Sequence, residues 1–375
     1  MDGKVDWSEL PIELWPKIGK SLENHMDVVR FRSVCESCRS SIPPSLPNSP
    51  SFPMEIPHPV NQSINTFLNQ ATVYVIEPSD GTSKLEPLAP SSKGWLIKVE
   101  ESRNHPLTLL SPISDRKIMY PDGTSSPMLW NLLGYRVIEL CKSYGIHTTG
   151  PLSSIVSKVV FFPNSPWIGA EDSVACCIFL EGKLGIMKHG DEKWTLVDDK
   201  NFYYDDVIVF KGQFYVTDKW GTISWVDTSS LKLVQYSPPL CGFGNKKHLV
   251  ESCGSLYVID RFCENDPPRR RHYHGPADRD AAVEHFKVHK LDEEWGMWVD
   301  VKNLGDRAFV LGNSCSFSVK ANDLTGYQGN CIYFTDIFDV RVYNLDDRSI
   351  VAINFDPCID KSTMCSQQSW VRVGV

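Results

Sequence analysis

One layout recurs three times in the second half of the chain, and it constrains the fold more than any other feature. Each copy reads glycine turn, strand, Asp, loop, strand, Asp turn, strand. The first copy comprises Gly212–Asp218, Ile223–Asp227 and Leu231–Val234; the second Gly254–Asp260, Phe286–Asp292 and Trp298–Val299; the third Gly329–Asp336, Val340–Asp346 and Ile350–Ile353. β-Branched and aromatic residues fill the strands, and Gly and Asp punctuate them. A repeat of roughly 40–50 residues with three or four strands is the pattern of a propeller blade, because one such sheet buries its faces only by stacking against copies of itself. Fainter copies begin at Gly94 and Gly182. Residues 70–375 are therefore expected to form a mainly-β domain, a propeller of about six or seven blades, with an array of β-sandwiches as the alternative. A helix is expected to interrupt it over 129–142, LWNLLGYRVIELCK.

The N-terminus follows a different period. Leu10, Leu14, Ile18 and Leu22 recur every four residues, which places them on one helix face. Pro11 suits the start of a helix, whereas Pro16 moves the regular part to Glu13 or later. A second apolar cluster, Val28, Val29, Phe31, Val34 and Cys35, follows with Asp27 as its expected N-cap. This helical module, residues 5–42, is too small to bury both of its apolar faces, so one face needs a partner. Residues 43–69 are expected to be a linker. The stretch SIPPSLPNSPSFPMEIPHP holds prolines 43, 44, 47, 50, 53, 57 and 59, which favours an extended, semi-rigid spacer. The alternative is a tail lying on the second domain.

Charge and cysteine content narrow the function classes. A net charge of −8 disfavours nucleic acid or an anionic membrane as a partner of the whole surface. The opening residues MDGKVDWSEL have neither a basic nor an apolar signal region, and no apolar run approaches the ~18 residues of a membrane span. The expected location is the nucleus or cytoplasm. There the twelve cysteines stay reduced. Cys35 and Cys38 have CxxC spacing but no second half, so no metal site is expected.

No catalytic constellation or cofactor motif stands out. Gly242–Lys247 lacks P-loop spacing. His285 and His289 lie in a strand-like run, where a spacing of four separates them by about 13 Å, and His272 and His274 complete no ligand set. Asp218, Asp260 and Asp336 recur at repeat positions, so turn capping is expected of them. Trp220, Trp225, Trp295 and Trp298 are expected to pack between blades. The second repeat carries a long polar insertion, Glu264–Ala282, in which Arg269, Arg270 and Arg271 suit a phosphate or an acidic segment of a protein substrate; the bland alternative, a solvated loop or a nuclear-import signal, is the stronger of the two.

Residues 9–39, ELPIELWPKIGKSLENHMDVVRFRSVCESCR, resemble an F-box: Leu10-Pro11-x-Glu13-Leu14, then Ile18 and Leu22, then Asp27–Arg32, then Val34-Cys35. The family usually carries Trp three residues after that cysteine; here the position is Cys38. The remainder resembles the plant F-box class with a kelch-like C-terminal propeller, on Gly94–Glu100, Leu109-Leu110-Ser111-Pro112, the Gly-x-Leu-Tyr-Val-x-Asp blades and Ile332–Asp336. The resemblance implies a non-catalytic substrate-recognition subunit of an SCF-type ubiquitin ligase. Leu10, Pro11, Leu14, Ile18, Leu22, Val29, Phe31, Val34 and Cys35 would face a Skp-type adaptor and, through it, a cullin. The propeller would hold an unidentified protein substrate. A propeller enzyme, or a scaffold whose F-box no longer binds the adaptor, is the rival reading.

Overall fold

Gly212 and Gly254 hold φ values of +78° and +76°, a left-handed backbone that a side chain resists, and each closes a hairpin between two strands. The third repeat makes its turn differently. Its left-handed residue is Asn330, and Gly329 stays small because a Cβ there would lie 2.7 Å from the Gly305 carbonyl oxygen. The computed structural model describes residues 10–59, 63–78, 93–102, 105–118, 135–148, 156–198, 203–264, 282–336 and 339–353. They fall into two compact units. One comprises the chain to Ser51 with Phe161–Val174 and Lys188–Gly190; the other comprises the rest.

The larger unit is a five-bladed β-propeller. Blade 1 contains β1 (Met54–Ile56), β2 (Thr66–Pro78), β3 (Trp95–Ser102), β4 (His105–Leu110) and β5 (Tyr135–Thr148). Blade 2 contains β6 (Val156–Phe162), β7 (Val174–Phe179), β8 (Leu184–Lys188) and β9 (Thr195–Leu196). Blade 3 contains β10 (Tyr204–Phe210), β11 (Gln213–Asp218), β12 (Ile223–Asp227) and β13 (Lys232–Gln235). Blade 4 contains β14 (Lys246–Ser252), β15 (Ser255–Cys263), β16 (Val283–Asp292) and β17 (Met297–Val301). Blade 5 contains β18 (Arg307–Leu311), β19 (Ser316–Lys320), β20 (Cys331–Asp336), β21 (Asp339–Asn344) and β22 (Ile350–Ile353). Blades 2 to 4 are plain meanders, and blade 5 has the order β19-β18-β20-β21-β22 with β18 and β20 parallel.

One edge strand of each sheet lies beside its counterpart in the next: β10 beside β14, and β14 beside β19. β10 and β14 are buried over most of their length, whereas β13, β17 and β22 at the opposite edges hold no buried residue. The core sits between blades. Phe210, Tyr215 and Ile223 of blade 3 meet Leu249, Leu256 and Val258 of blade 4. Ile259, Phe286 and Val288 meet Phe309, Ile332 and Phe334 of blade 5. Val73, Val75 and Leu96 of blade 1 meet Val310, Phe317 and Tyr333, which closes the ring.

Four expectations are corrected. Blade number is five rather than six or seven, because β2 and β5 run for 13 and 14 residues and absorb chain that short strands would have divided. The helix expected over 129–142 is a strand from Tyr135 onward. β5 pairs with β2 along its whole length, and that ladder overrides the local apolar period. Within the expected linker 43–69, Met54–Ile56 is a strand paired with β2, with Met54 and Ile56 buried and Glu55 exposed between them. Its flanking prolines, 53 and 57, suit an edge position, and the Pro57 carbonyl accepts from Trp194 Nε1, so this part follows the tail reading. Of the four tryptophans, Trp225 and Trp298 pack between blades 3 and 4, but Trp220 and Trp295 are 44% and 73% exposed because each stands in a hairpin turn.

Candidate functional site

The smaller unit is built on three helices, α1 (Leu14–Lys20), α2 (His25–Val34) and α3 (Glu36–Ser41). Pro16 falls in the first turn of α1, where no intrahelical bond needs its nitrogen. The N-cap of α2 is Asn24, whose side chain accepts from Met26 N at 2.8 Å; Asp27, expected in that role, lies inside the first turn and pairs with Arg30. Val28, Cys38 and Ile42 form the buried centre, with Gly19 packed so closely that a Cβ would lie 2.5 Å from Ile42 Cδ1. Cys38 therefore fills an interior position. The Arg32 guanidinium donates to the carbonyls of Arg39 and Ile42 and ties α2 to α3. A segment distant in sequence completes the unit. Trp167 Nε1 donates to the Leu22 carbonyl at 2.7 Å, Leu46 N to Pro166 O, and Ala170 N to Asn48 O.

The nine residues singled out for adaptor contact divide by exposure. Pro11, Ile18, Val29, Val34 and Cys35 are exposed, Val34 to 73%; Leu10, Leu14, Leu22 and Phe31 are half-buried. An exposed set of three branched apolar side chains on so small a unit is unpartnered surface.

In the propeller, one end gathers charge where strands would normally be apolar. Asp206 is buried and receives Val207 N, Leu249 N and Lys158 Nζ, the last at 2.5 Å, so it joins blades 2, 3 and 4. Asp205 accepts from Lys247 N at 2.9 Å. The Lys247 and Asp260 side chains are both fully buried, with Nζ 2.7 Å from Oδ1. Asp336 of blade 5 faces Arg261 at 3.7 Å and Arg341 at 3.3 Å. Lys98 of blade 1 reaches Asp115 at 2.5 Å and Ser314 of blade 5 at 2.6 Å. Polar bonds among these residues thus link blade 2 to 3, 3 to 4, 4 to 5 and 5 to 1. Burial pushes the Asp205 carboxyl up to about 7, against the pull of Lys247. Burial also lowers Lys246 and holds His248 well below the usual histidine range. Cys315, hydrogen-bonded to Cys141 and near Lys98, is lowered to about 7.

The repeated aspartates therefore do different work. Asp218 caps a turn, as expected, accepting from Trp220 N and Thr222 N. Asp260 and Asp336 are instead buried ion-pair partners, a correction that sequence could not supply because their cations lie on other strands. Around this end, Tyr203, the 219–222 turn and the 236–245 connection form a rim. Lys219 Nζ stands 3.6 Å from the Tyr203 ring centroid, and Trp220 and Phe243 are exposed, Phe243 to 76%. Sequence reasoning missed this rim, although aromatic residues beside Gly and Lys in turns were the available signal.

Arg269, Arg270 and Arg271, with His272 and His274, lie outside the described residues. His285 stacks on Phe262 and His289 Nδ1 lies 2.8 Å from Asp300, so the two are not brought together. Among the described residues no cluster of three or more metal-ligating side chains occurs, and no helix is long and apolar enough to cross a membrane.

Comparison with known proteins adds a family. A KIB1-4 beta-propeller model matches residues 66–350. F-box protein SKIP23 of Arabidopsis thaliana is 33% identical over 367 residues, covering 92% of this chain and 86% of that protein. F-box protein At2g26160 of the same plant is 32% identical over 355 residues, covering 89% and 96%.

Proposed function

This chain is a plant F-box protein of the KIB1-4 beta-propeller family, and we propose that it serves as the substrate-recognition subunit of an SCF-type (Skp–cullin–F-box) E3 ubiquitin ligase in the nucleus or cytoplasm. The observation that carries the reading is the similarity to F-box proteins over nine-tenths of the chain, together with exposed Ile18, Val29 and Val34 on its helical unit. Leu10, Pro11, Leu14, Ile18, Leu22, Val29, Phe31, Val34 and Cys35 meet a Skp-type adaptor, which bridges to a cullin. The propeller end with Trp220 and Phe243 on its rim receives a protein substrate. The subunit performs no bond chemistry. It raises the local concentration of substrate lysines near a charged ubiquitin-conjugating enzyme.

The test uses the full chain, because residues 161–174 belong to the helical unit. Co-expression with a Skp-type adaptor yields a one-to-one complex on size-exclusion chromatography. Val34→Asp weakens it about tenfold or more by burying a charge at the interface, while unfolding stability stays within about 0.5 kcal/mol because the site is exposed. Failure of the wild-type chain to form the complex overturns the reading.

A further inference from the structure

Two thiols of the helical unit stand in an arrangement that adaptor contact alone does not require. Cys35 is the single extended residue between α2 and α3, at φ −159° and ψ 174°, and it is exposed. Cys38, one turn later, is 1% exposed. Their Sγ atoms lie 3.3 Å apart, and Cys38 N donates to Cys35 Sγ at 3.4 Å. A disulfide needs the sulfurs at about 2.05 Å, so little more than 1 Å of approach separates this pair from bonding distance. The two thiols are also unequal. Hydrogen bonds from Cys38 hold Cys35 below the usual thiol range, whereas burial lifts Cys38. An accessible thiolate beside a buried second thiol is the arrangement of an attacking and a resolving cysteine. Metal binding is the competing use of a CxxC pair, but no third His, Cys, Asp or Glu joins this one among the described residues.

We propose that Cys35 and Cys38 form a reversible intramolecular disulfide with a small-molecule disulfide such as glutathione disulfide as oxidant. The Cys35 thiolate attacks one sulfur of glutathione disulfide, breaking its S–S bond and releasing one glutathione, which takes up the proton Cys35 lost. Cys38 gives its proton to solvent and attacks the Cys35 sulfur of the mixed disulfide, expelling the second glutathione, which is protonated in turn. The pair gives up two electrons and two protons, and glutathione disulfide gains both as two thiols. This site stands apart from the ligase reading, although Cys35 and its exposed neighbour Val34 are among the residues assigned to the adaptor.

Tryptic cleavage after Arg32 and Arg39 releases Ser33–Arg39, a peptide that holds both cysteines and no other. The folded full chain is equilibrated in glutathione buffers of increasing oxidised fraction, quenched in acid, alkylated and digested. The expected result is loss of the doubly alkylated peptide and gain of a form lighter by two hydrogens with an internal bond, reversed by dithiothreitol. In Cys38→Ala the reaction stops at a glutathione mixed disulfide on Cys35, and in Cys35→Ser the buried Cys38 remains alkylatable only after unfolding. A wild-type peptide that stays doubly alkylated, or accumulates mixed disulfides without the internal bond, overturns the proposal. Because the wild-type readout decides the question, a folding defect in either variant leaves it intact.

Discussion

Asp260→Ala tests whether the buried charges at one end of the propeller are structural. The substitution removes the carboxylate 2.7 Å from Lys247 Nζ at a site where both side chains are fully buried. The ammonium retains the Gly244 carbonyl at 3.1 Å, and Gly244 N loses its acceptor at 3.2 Å. Breaking a buried pair by removing one partner costs about 3–5 kcal/mol, because the remaining charge stays desolvated. That is a fifth or more of the roughly 5–15 kcal/mol that holds a typical domain together. Guanidinium unfolding at neutral pH, followed by tryptophan fluorescence, reads the loss directly. The double variant Lys247→Met, Asp260→Leu replaces both charges with apolar volume and is expected to lose less than Asp260→Ala alone. A cost below about 1 kcal/mol, the range of an exposed pair, refutes the reasoning.

Two further outcomes follow from the same packing. The Asp205 carboxyl is raised to about 7, so its contribution to stability is full below the ordinary carboxyl range and is lost as pH climbs through neutrality; Asp205→Asn removes this dependence, and the two chains compared by urea unfolding from acid to mild alkali show it as a difference that widens with pH, the wild type falling. Gly19→Ala drives a methyl to 2.5 Å from Ile42 Cδ1 and lowers the stability of the helical unit by about 1–3 kcal/mol, read as faster amide exchange in α1 and α3.

Much of the fold was legible because its signals are local. Alternating strands closed by Gly212 and Gly254 announce hairpins within a few residues, and the Leu10-Leu14-Ile18 spacing announces a helix. What stayed hidden depends on distant partners. β5 is a strand because β2 lies beside it, and β1 is a strand because β2 extends past the end of β3. The repeated Asp looks identical in all three copies, yet only Asp218 finds its partners in its own turn. Asp260 needs Lys247 from the preceding strand, and Asp336 needs Arg261 from another blade. The exposed rim aromatics, Trp220 and Phe243, were hidden for the opposite reason: a large apolar residue reads as core until its neighbours are placed. For the helical unit, residue choice was visible, but the division between Val28, turned inward, and Val29 and Val34, turned outward, required the packing of Ile42 and Cys38.

The hydrogen bond from Trp167 to the Leu22 carbonyl sets a timetable for synthesis. The helices leave the ribosome well before the indole that donates to their turn, which follows Leu22 by 145 residues. At ~5–20 residues per second, that is a wait on the order of ten seconds. Through that interval the helical unit lacks residues 161–174 that pack with it, so a nascent chain is most exposed to premature capture or aggregation between the emergence of α3 and that of residue 174.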